Sequence, residues 1–241
     1  MTQQSTKADP QRLVGWLAVV GALLAWIMAV LVGAAANFNP DVLAHPAAML
    51  DYSPQSQNLY RLSMWADILG WYVPFLVVGG FLWQRIRQRA GALADIGLAG
   101  LIVYAVLGIV GAGMLNLTLV PLTRLLSEHP ASSASYEAIW ITLQTAAQGI
   151  WNAEAPVFLL WGLVTAHFLR KEKWGYGRLL TLDVVLFAIE FIFNLCGLAD
   201  LGETMLMITL LVHPLWLFLF GITLLRKRIP VMVGAGISPA G

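Results

Sequence analysis

Two acidic residues lie deep inside long apolar stretches of this sequence, where a carboxyl group is costly. Glu154 follows Asn152 within the apolar run 136–169, and Glu190 lies within the run 179–198. An ionisable side chain at membrane depth usually faces a protein interior or a water-filled cavity, and it often marks a functional position. Such a carboxyl group could carry a proton, bind a cation or anchor a polar headgroup.

Further polar side chains occur at similar depths in the other apolar runs. His213 falls near the middle of the last run, Asn194 follows Glu190 by one helical turn, and Asp67 lies early in the second run. We expect these groups to line one polar pocket in the outer half of the membrane. The predicted ligand-binding residues are Glu154, Glu190, His213, Asn152, Gln148, Asn194 and Asp67.

Structural interpretations compete with the functional one for each of these residues. A protonated glutamate in the membrane can join two helices by hydrogen bonds alone, because burial disfavours its charged form. His213 can act in the same way as a partner for Glu154 or Glu190. The sequence therefore leaves open whether these side chains bind a ligand or only hold helices together.

Ion pairs with nearby arginines can explain the aspartates of the apolar runs. Asp67 lies within two turns of the outer end of its run, where Arg61 or Arg124 can form an ion pair with it. Asp95 and Asp183 lie near the basic ends of their runs, where neighbouring arginines can neutralise them. We therefore predict structural roles for Asp95 and Asp183.

The sequence contains no pattern typical of a metal, haem or nucleotide site. One histidine within a span does not make a metal site, and His45, His129 and His167 fall in loops or near the end of a run. Haem held between helices needs axial ligands at matching depth, and these are missing. We predict no metal and no cofactor. No Ser–His–Asp arrangement is present either, so no catalytic residue is assigned.

The composition is that of an integral membrane protein. Of the 241 residues, 59% are hydrophobic and only 11% are charged, and the mean hydropathy is +0.75. A soluble domain carries about 25% charged residues. The net charge of +1 argues against a nucleic-acid partner, which would require a strongly basic face. The expected partners are the lipid bilayer and a small-molecule or lipid ligand, and homo-oligomerisation is left open.

Six apolar runs are long enough to cross a bilayer, since a helix needs about 20 residues to span the hydrocarbon core. The predicted fold class is an all-α polytopic membrane protein with a six-helix transmembrane bundle. The predicted spans are 13–36, 62–83, 92–120, 136–169, 179–198 and 204–225. The first could instead be a signal peptide cleaved after the alanines at 34–36. Its apolar region is longer than that of a signal peptide, so we expect a retained helix.

Basic residues predict the orientation of the chain. Placing both termini in the cytoplasm puts every basic cluster on that side, as the positive-inside rule requires. The clusters are Lys7/Arg12, Arg85/Arg87/Arg89, Arg170/Lys171/Lys173/Arg178 and Arg226/Lys227/Arg228. We predict a cytoplasmic lead over 1–12, a membrane domain over 13–228 and a cytoplasmic tail over 229–241. The predicted location is the bacterial cytoplasmic membrane.

Prolines inside three predicted spans indicate irregular helix geometry. Each proline lacks an N–H group and leaves the carbonyl four residues earlier without its usual partner. The prolines are Pro74, Pro156 and Pro214, and the freed carbonyls belong to Gly70, Asn152 and Leu210. The polar residues near Pro156 also occupy a wide arc of their helix. We therefore expect the fourth span to lie at the centre of the bundle.

Two stretches of the sequence resemble a known family. The first begins with Asn-Leu-Tyr-Arg-Leu-Ser at 58–63 and continues with Asp67, an aromatic and proline-containing middle and a basic turn. It is similar to a bacterial family of six-helix membrane proteins that is catalogued only as a domain of unknown function. The resemblance covers about 13–225.

The second stretch is Leu-Trp-Gly-Leu-Val at 160–164, followed by a basic turn with Gly175 and Gly177 before the next helix. It is similar to the later half of the same family. The turn departs from the family's pattern, because it is rich in lysine and arginine and lacks the expected proline. The resemblance implies the fold and topology. It carries no established activity and assigns no catalytic residues.

Three functions are compatible with these observations. The first is the binding or transport of a small or lipid-like molecule in a polar pocket between the second and sixth spans. The second is an intramembrane enzyme that uses a buried carboxyl group as general acid or base, which needs a second titratable group within hydrogen-bond reach. The third is a structural or assembly subunit without a small-molecule site.

Overall fold

A computed structural model describes residues 9–39, 41–42, 45–173 and 176–226. Within these ranges all regular structure is helical, and four of the helices are long and apolar enough to cross a membrane. The tail predicted at 229–241 and most of the lead predicted at 1–12 lie outside the described residues.

Apart from the 18-residue connection between the first two, the long helices follow one another with short connections. They are α1 (Pro10–Ala35), α2 (Pro54–Ala90), α3 (Ala92–Glu128), α4 (Ser133–Asn152), α5 (Glu154–Lys171), α6 (Gly177–Leu195) and α7 (Ala199–Arg226). Short 3-10 turns lie at Pro46–Asp51 and Pro130–Ser132. The four long apolar helices are α1, α2, α3 and α7. The helices α5 and α6 are shorter, with 18 and 19 residues, and each carries three charged side chains.

Local sequence signals explain where the first helices begin and turn. The side chain of Asp9 accepts a hydrogen bond from the backbone N–H of Gln11, at 3.1 Å, and caps α1. Ser53 caps α2 in the same way by accepting from the N–H of Ser56, at 3.1 Å. Gly91 separates α2 from α3 with φ +54° and ψ −131°, a conformation that essentially only glycine adopts. The two helices therefore reverse direction within one residue.

Six helices pack side by side in a closed ring. Following the ring, α1 contacts α7, α7 contacts α6, α6 contacts α5, α5 contacts α3, α3 contacts α2, and α2 returns to α1. The larger of two apolar packing centres fills the ring and includes Phe75, Tyr104, Phe158 and Trp216. The basic turns that join α2 to α3 and α5 to α6 lie at the same end of the ring, since Arg89 of the first pairs with Glu172 of the second, and we call it the basic end.

A second packing centre lies toward the opposite end, where α4 packs on α3. It includes Tyr60, Leu119 and Trp140. The 37 residues of α2 and of α3 correspond to about 55 Å each, at 1.5 Å per residue. This length exceeds the hydrocarbon core of a bilayer, about 30 Å. A helix of this length that crossed a bilayer would tilt strongly or project from it. The far ends of α2 and α3 are covered by α4.

Two of the three prolines coincide with irregular helix geometry. The predicted span 136–169 is divided, because α4 ends at Asn152 and α5 begins at Glu154. In α2, the segment Ile68–Tyr72 forms a π-helical turn just before Pro74. Gly70 lets this turn pack closely against α1, because a Cβ atom there would lie 2.4 Å from the backbone nitrogen of Ala25. Pro214 lies inside the continuous helix α7.

The fourth predicted span is not at the centre of the bundle. Its second half, α5, occupies a place in the wall of the ring between α3 and α6. The ring interior instead holds His213 of α7, whose imidazole contacts aromatic side chains of α2, α3, α5 and α6. The wide polar arc near Pro156 therefore reflects the break between α4 and α5 rather than a central position.

Candidate functional site

His213 is fully buried and has a partner at each ring nitrogen. Its Nδ1 atom lies 2.7 Å from Oδ2 of Asp183, and its Nε2 atom lies 3.4 Å from the hydroxyl of Tyr104. A neutral imidazole with its proton on Nδ1 satisfies both contacts, since Nδ1–H donates to the carboxylate and Nε2 accepts from the tyrosine. The three side chains come from α6, α7 and α3.

Two aromatic rings enclose the imidazole of His213. The Phe75 ring is stacked on it at 3.9 Å and 10°, and the Trp71 ring is stacked at 4.3 Å and 23°. Two rings cannot lie side by side on one face of an imidazole at such distances, so His213 is sandwiched between them. The π-helical turn of α2 supplies Trp71, and the following α-helix supplies Phe75. This packing fixes the plane of the imidazole.

One oxygen of the Asp183 carboxyl group remains available. Oδ1 of Asp183 is buried and has no hydrogen-bond partner among the described residues. The Thr165 hydroxyl and the Trp216 indole nitrogen, which are also buried, likewise lack a partner there. Buried polar atoms are nearly always hydrogen-bonded, and ordered water is a frequent partner. These atoms give the ring interior unused capacity for a small polar species.

Glu154 occupies the first turn of α5 and is buried inside the ring. The hydroxyl of Tyr72 donates to its carboxyl group, at 3.1 Å from Oε1 and 3.4 Å from Oε2. The break after Asn152 creates the N-terminus of α5 at this position, and a helix N-terminus favours negative charge. The break thus stabilises an acidic side chain at a depth where it would otherwise be costly.

Asp67 is buried at the end of the α-helical part of α2, five residues before Tyr72, which donates to Glu154. The predicted ion pair with a surface arginine is absent in the described chain, because Arg124 pairs with Glu128 at 2.8 Å and Arg61 is exposed. Asp67 directly precedes the π-helical turn. Its position next to that turn directs it inward rather than toward the surface.

Two tyrosines join the His213 cluster to Glu154. The rings of Tyr72 and Tyr104 lie 5.4 Å apart, with Tyr72 bonded to Glu154 and Tyr104 close to His213. A series of contacting side chains with exchangeable protons therefore crosses the ring interior, and its two hydrogen-bonded parts meet at a ring contact between Tyr72 and Tyr104. In order, it contains Asp183, His213, Tyr104, Tyr72 and Glu154. We call this series the buried polar chain.

The remaining predicted residues form a separate group at the outer edge of the ring. Asn194 donates to Oδ1 of Asn152 at 3.2 Å, and Gln148 donates to the same oxygen at 3.3 Å. Glu190 is partly buried, and its Oε2 atom has no hydrogen-bond partner in the described chain. The seven predicted residues therefore divide between the buried polar chain, its neighbour Asp67 and this more exposed group.

Asp183 corrects the prediction of a role at the basic end. It is fully buried and pairs with His213, whereas His213 was expected to pair with Glu154 or Glu190. One signal for this was present in the sequence. Asp183 and Glu190 are seven residues apart, a spacing that places them on the same helix face. Asp95, by contrast, accepts hydrogen bonds from Arg87 and Trp83 at the surface, as expected.

Tyr72, Tyr104 and Trp71 were not predicted as site residues. Apolar packing was a sufficient explanation for aromatic residues within spans. The tyrosines nevertheless differed in position, because Tyr72 and Tyr104 lie inside predicted spans while the other four lie outside spans or at a span's end. A buried tyrosine hydroxyl usually has a hydrogen-bond partner. Their depth could therefore have indicated a polar partner.

Open cavities occur at the basic end. One of about 810 Å³ lies at the turn between α5 and α6, and another of about 590 Å³ lies at the turn between α2 and α3. The predicted ligand-binding residues line neither of them. In the described ranges, no group of three or more histidine, cysteine, aspartate or glutamate side chains is placed to hold a metal ion.

Comparison of the chain with models of known protein families, with curated proteins and with solved structures gives no match. The resemblance to a six-helix bacterial family therefore stays a prediction.

Proposed function

We propose that the chain is a six-span protein of the bacterial cytoplasmic membrane with both termini in the cytoplasm. The four long apolar helices and the closed ring support this topology. In the proposal, α5 and α6 are the two further spans, and their buried acidic side chains, Glu154 and Asp183, face the ring interior rather than lipid. The basic turns at one end of the ring are the cytoplasmic turns. The far ends of α2 and α3, with α4, lie outside.

Within this topology, the proposed function is the binding or transport of a small or lipid-like molecule, coupled to proton movement. The observation that carries the proposal is the buried polar chain. Its five side chains come from five different helices of the ring, α6, α7, α3, α2 and α5. Any rearrangement that opens the ring must break some of its hydrogen bonds. A change in the protonation of Glu154 would therefore favour one arrangement of the helices over another.

The two other functions receive less support. An intramembrane enzyme needs an acid–base pair in a pocket that a substrate can enter, and the Asp183–His213 pair is enclosed by packed aromatic rings. A structural subunit would use the same hydrogen bonds only to join helices. The three functions predict different effects of replacing one carboxyl group: a loss of binding or flux, a loss of catalysis, or a loss of stability alone.

Glu154→Gln is the most informative single variant. Glutamine keeps the size of glutamate and still accepts from Tyr72, but it cannot gain or lose a proton in the same range. Glu190→Gln tests the more exposed carboxyl group, and Glu137→Gln on the exposed face of α4 is the matched control. Each variant would be purified in detergent and reconstituted in liposomes.

Three measurements distinguish the functions. Thermal unfolding tests whether each variant is folded, mass spectrometry quantifies co-purified lipid or small molecules, and a trapped pH-sensitive dye reports proton flux under an imposed potential. We expect Glu154→Gln to fold and to lose about tenfold or more of its bound compound or flux. Normal binding and flux in both variants would contradict the proposal. A loss of stability in the glutamine variants without a loss of binding or flux would favour the structural subunit. Chemical conversion of the bound compound by the parent, but not by the variants, would favour the enzyme.

A further inference from the structure

The turn between α5 and α6 concentrates positive charge around an open cavity. The cavity has a volume of about 810 Å³ and lies at the basic end, apart from the buried polar chain. Its cationic lining residues are Arg170, Lys171, Lys173 and Arg178. His167 and Tyr176 also line it. All four cationic side chains are exposed, so none contributes to the apolar core of the ring.

These four cations have no carboxylate partner in the part of the chain that the structure describes. The nearest acidic residue in sequence, Glu172, pairs instead with Arg89 of the neighbouring turn. The turn between α2 and α3 differs, because there Arg87 pairs with Asp95 at 2.8 Å. The positive-inside rule accounts for basic residues in both turns. It does not explain why the charge around this one cavity is left without a counter-charge.

We propose that this cavity binds a phosphate-bearing anion. Arginine forms bidentate hydrogen bonds with phosphate, and lysine adds a mobile point charge, so the lining matches this class of ligand. The cavity also adjoins the start of α6, whose backbone N–H groups have no side-chain cap. The proposal rests on the four cationic side chains, and the N-terminus of α6 adds to the positive electrostatic potential in the cavity.

The phosphate can come from two sources. One is the headgroup of an anionic phospholipid such as phosphatidylglycerol, which the cytoplasmic leaflet presents at the level of such a turn. The other is a soluble phosphate or phosphate ester. Only the lipid source depends on the proposed topology. Neither depends on proton coupling through the buried polar chain, so the two proposals can fail separately.

The test uses the full chain purified in detergent. Binding would be measured by native mass spectrometry and by thermal stabilisation with phosphatidylglycerol, zwitterionic phosphatidylcholine or inorganic phosphate. The variant replaces Arg170, Lys173 and Arg178 with glutamine. The matched control is Arg124→Gln, which removes an exposed arginine at the opposite end. If the triple variant does not fold, Lys173→Gln and Arg178→Gln would be measured singly.

We expect the parent to bind phosphatidylglycerol with an affinity that falls as the salt concentration rises. The triple variant should have an affinity at least about tenfold lower, and the control should bind as the parent does. Binding of phosphatidylglycerol without binding of inorganic phosphate identifies a lipid headgroup. Stabilisation by inorganic phosphate that the triple variant loses identifies a soluble ligand. Equal binding by the parent and the variants, or equal binding of phosphatidylcholine, would overturn the proposal.

Discussion

Nδ1 of His213 lies 2.7 Å from Oδ2 of Asp183, and both side chains are almost completely buried. This hydrogen bond joins α6 to α7 inside the ring and leaves Nε2 of the imidazole to face Tyr104. It therefore couples the last helical hairpin to the opposite side of the ring. Because the Phe75 and Trp71 rings cover both faces of the imidazole, the contact has little freedom to rearrange.

Replacement of Asp183 should show how much this contact contributes to stability. Asp183→Leu leaves the Nδ1–H group of His213 buried without an acceptor, and we expect the free energy of unfolding to fall by about 1–3 kcal/mol. Asp183→Asn keeps an oxygen acceptor and should cost less. The measurement is chemical unfolding in detergent micelles. Asp95→Asn, at an exposed ion pair, is the control and should change stability by less than about 1 kcal/mol. Equal stability of Asp183→Leu and the parent would exclude a stabilising role for the contact.

Gly108 controls the packing of Tyr72. A Cβ atom at position 108 would lie 1.9 Å from two ring carbons of Tyr72, so alanine there must displace the tyrosine that donates to Glu154. We expect Gly108→Ala to lower the free energy of unfolding by about 1–3 kcal/mol. Gly113 lies on the same helix with no atom within 4 Å of its Cβ position. Gly113→Ala should therefore stabilise the protein by up to about 1 kcal/mol. If Gly108→Ala stabilised the protein as much as Gly113→Ala, this result would contradict the close packing of Tyr72 against Gly108.

The sequence was sufficient to predict an all-helical membrane protein. Low charge and long apolar runs decide this class, and the observed ends of α1, Pro10–Ala35, agree with the predicted span 13–36 to within three residues. The extent of α2 was less accessible. It begins at Pro54 rather than near 62, because Ser53 caps a polar first turn that hydropathy alone does not detect.

The consequences of the prolines could be predicted only in part. Loss of an N–H group frees a carbonyl at a known position, but the neighbouring helices decide how the backbone responds. Near Pro74 the helix widens into a π turn where Gly70 meets α1, whereas near Pro156 the helix breaks at Ala153. Pro214 changes nothing in the continuity of α7.

The sequence did not predict which acidic side chain contacts His213 inside the ring. Depth counting placed several polar groups within reach of His213, and the relative depth of α6 and α7 decides which one makes contact. Asp183 pairs with His213, while Glu190, two turns further along α6, is only partly buried and makes no hydrogen bond through Oε2 to a described residue. The two acids lie on nearly the same face of α6 but about 10 Å apart along its axis, and apolar periodicity does not determine which of them reaches the depth of His213.

A double-mutant cycle should isolate the contact between Tyr72 and Glu154. Tyr72→Phe removes the donor and Glu154→Leu removes the acceptor. We expect a coupling energy of about 0.5–1.7 kcal/mol, the range found for hydrogen bonds between membrane helices. Chemical unfolding of the parent, both single variants and the double variant gives this value. The control cycle combines Tyr72→Phe with Glu137→Gln on the exposed face of α4. Its two changes should be additive within about 0.5 kcal/mol. Additivity in the first cycle as well would remove Tyr72 from the buried polar chain.

The lone cysteine of the chain provides a direct test of the proposed topology. Cys196 is exposed in the turn between α6 and α7, at the end of the hairpin away from the basic end. Six spans with cytoplasmic termini place this turn outside the membrane. We therefore expect a membrane-impermeant maleimide to label Cys196 in intact spheroplasts, as measured by a mass shift of the purified protein.

The matched control moves the cysteine to the other end of the ring. Cys196→Ser combined with Gln88→Cys places one thiol on an exposed position in the last turn of α2, at the basic end. This thiol should be protected in intact spheroplasts and labelled only after permeabilisation, because the proposed topology puts the basic end in the cytoplasm. The reverse pattern would invert the orientation, and labelling of both positions in intact spheroplasts would rule out an odd number of crossings between residues 88 and 196. Either result would contradict six spans with cytoplasmic termini.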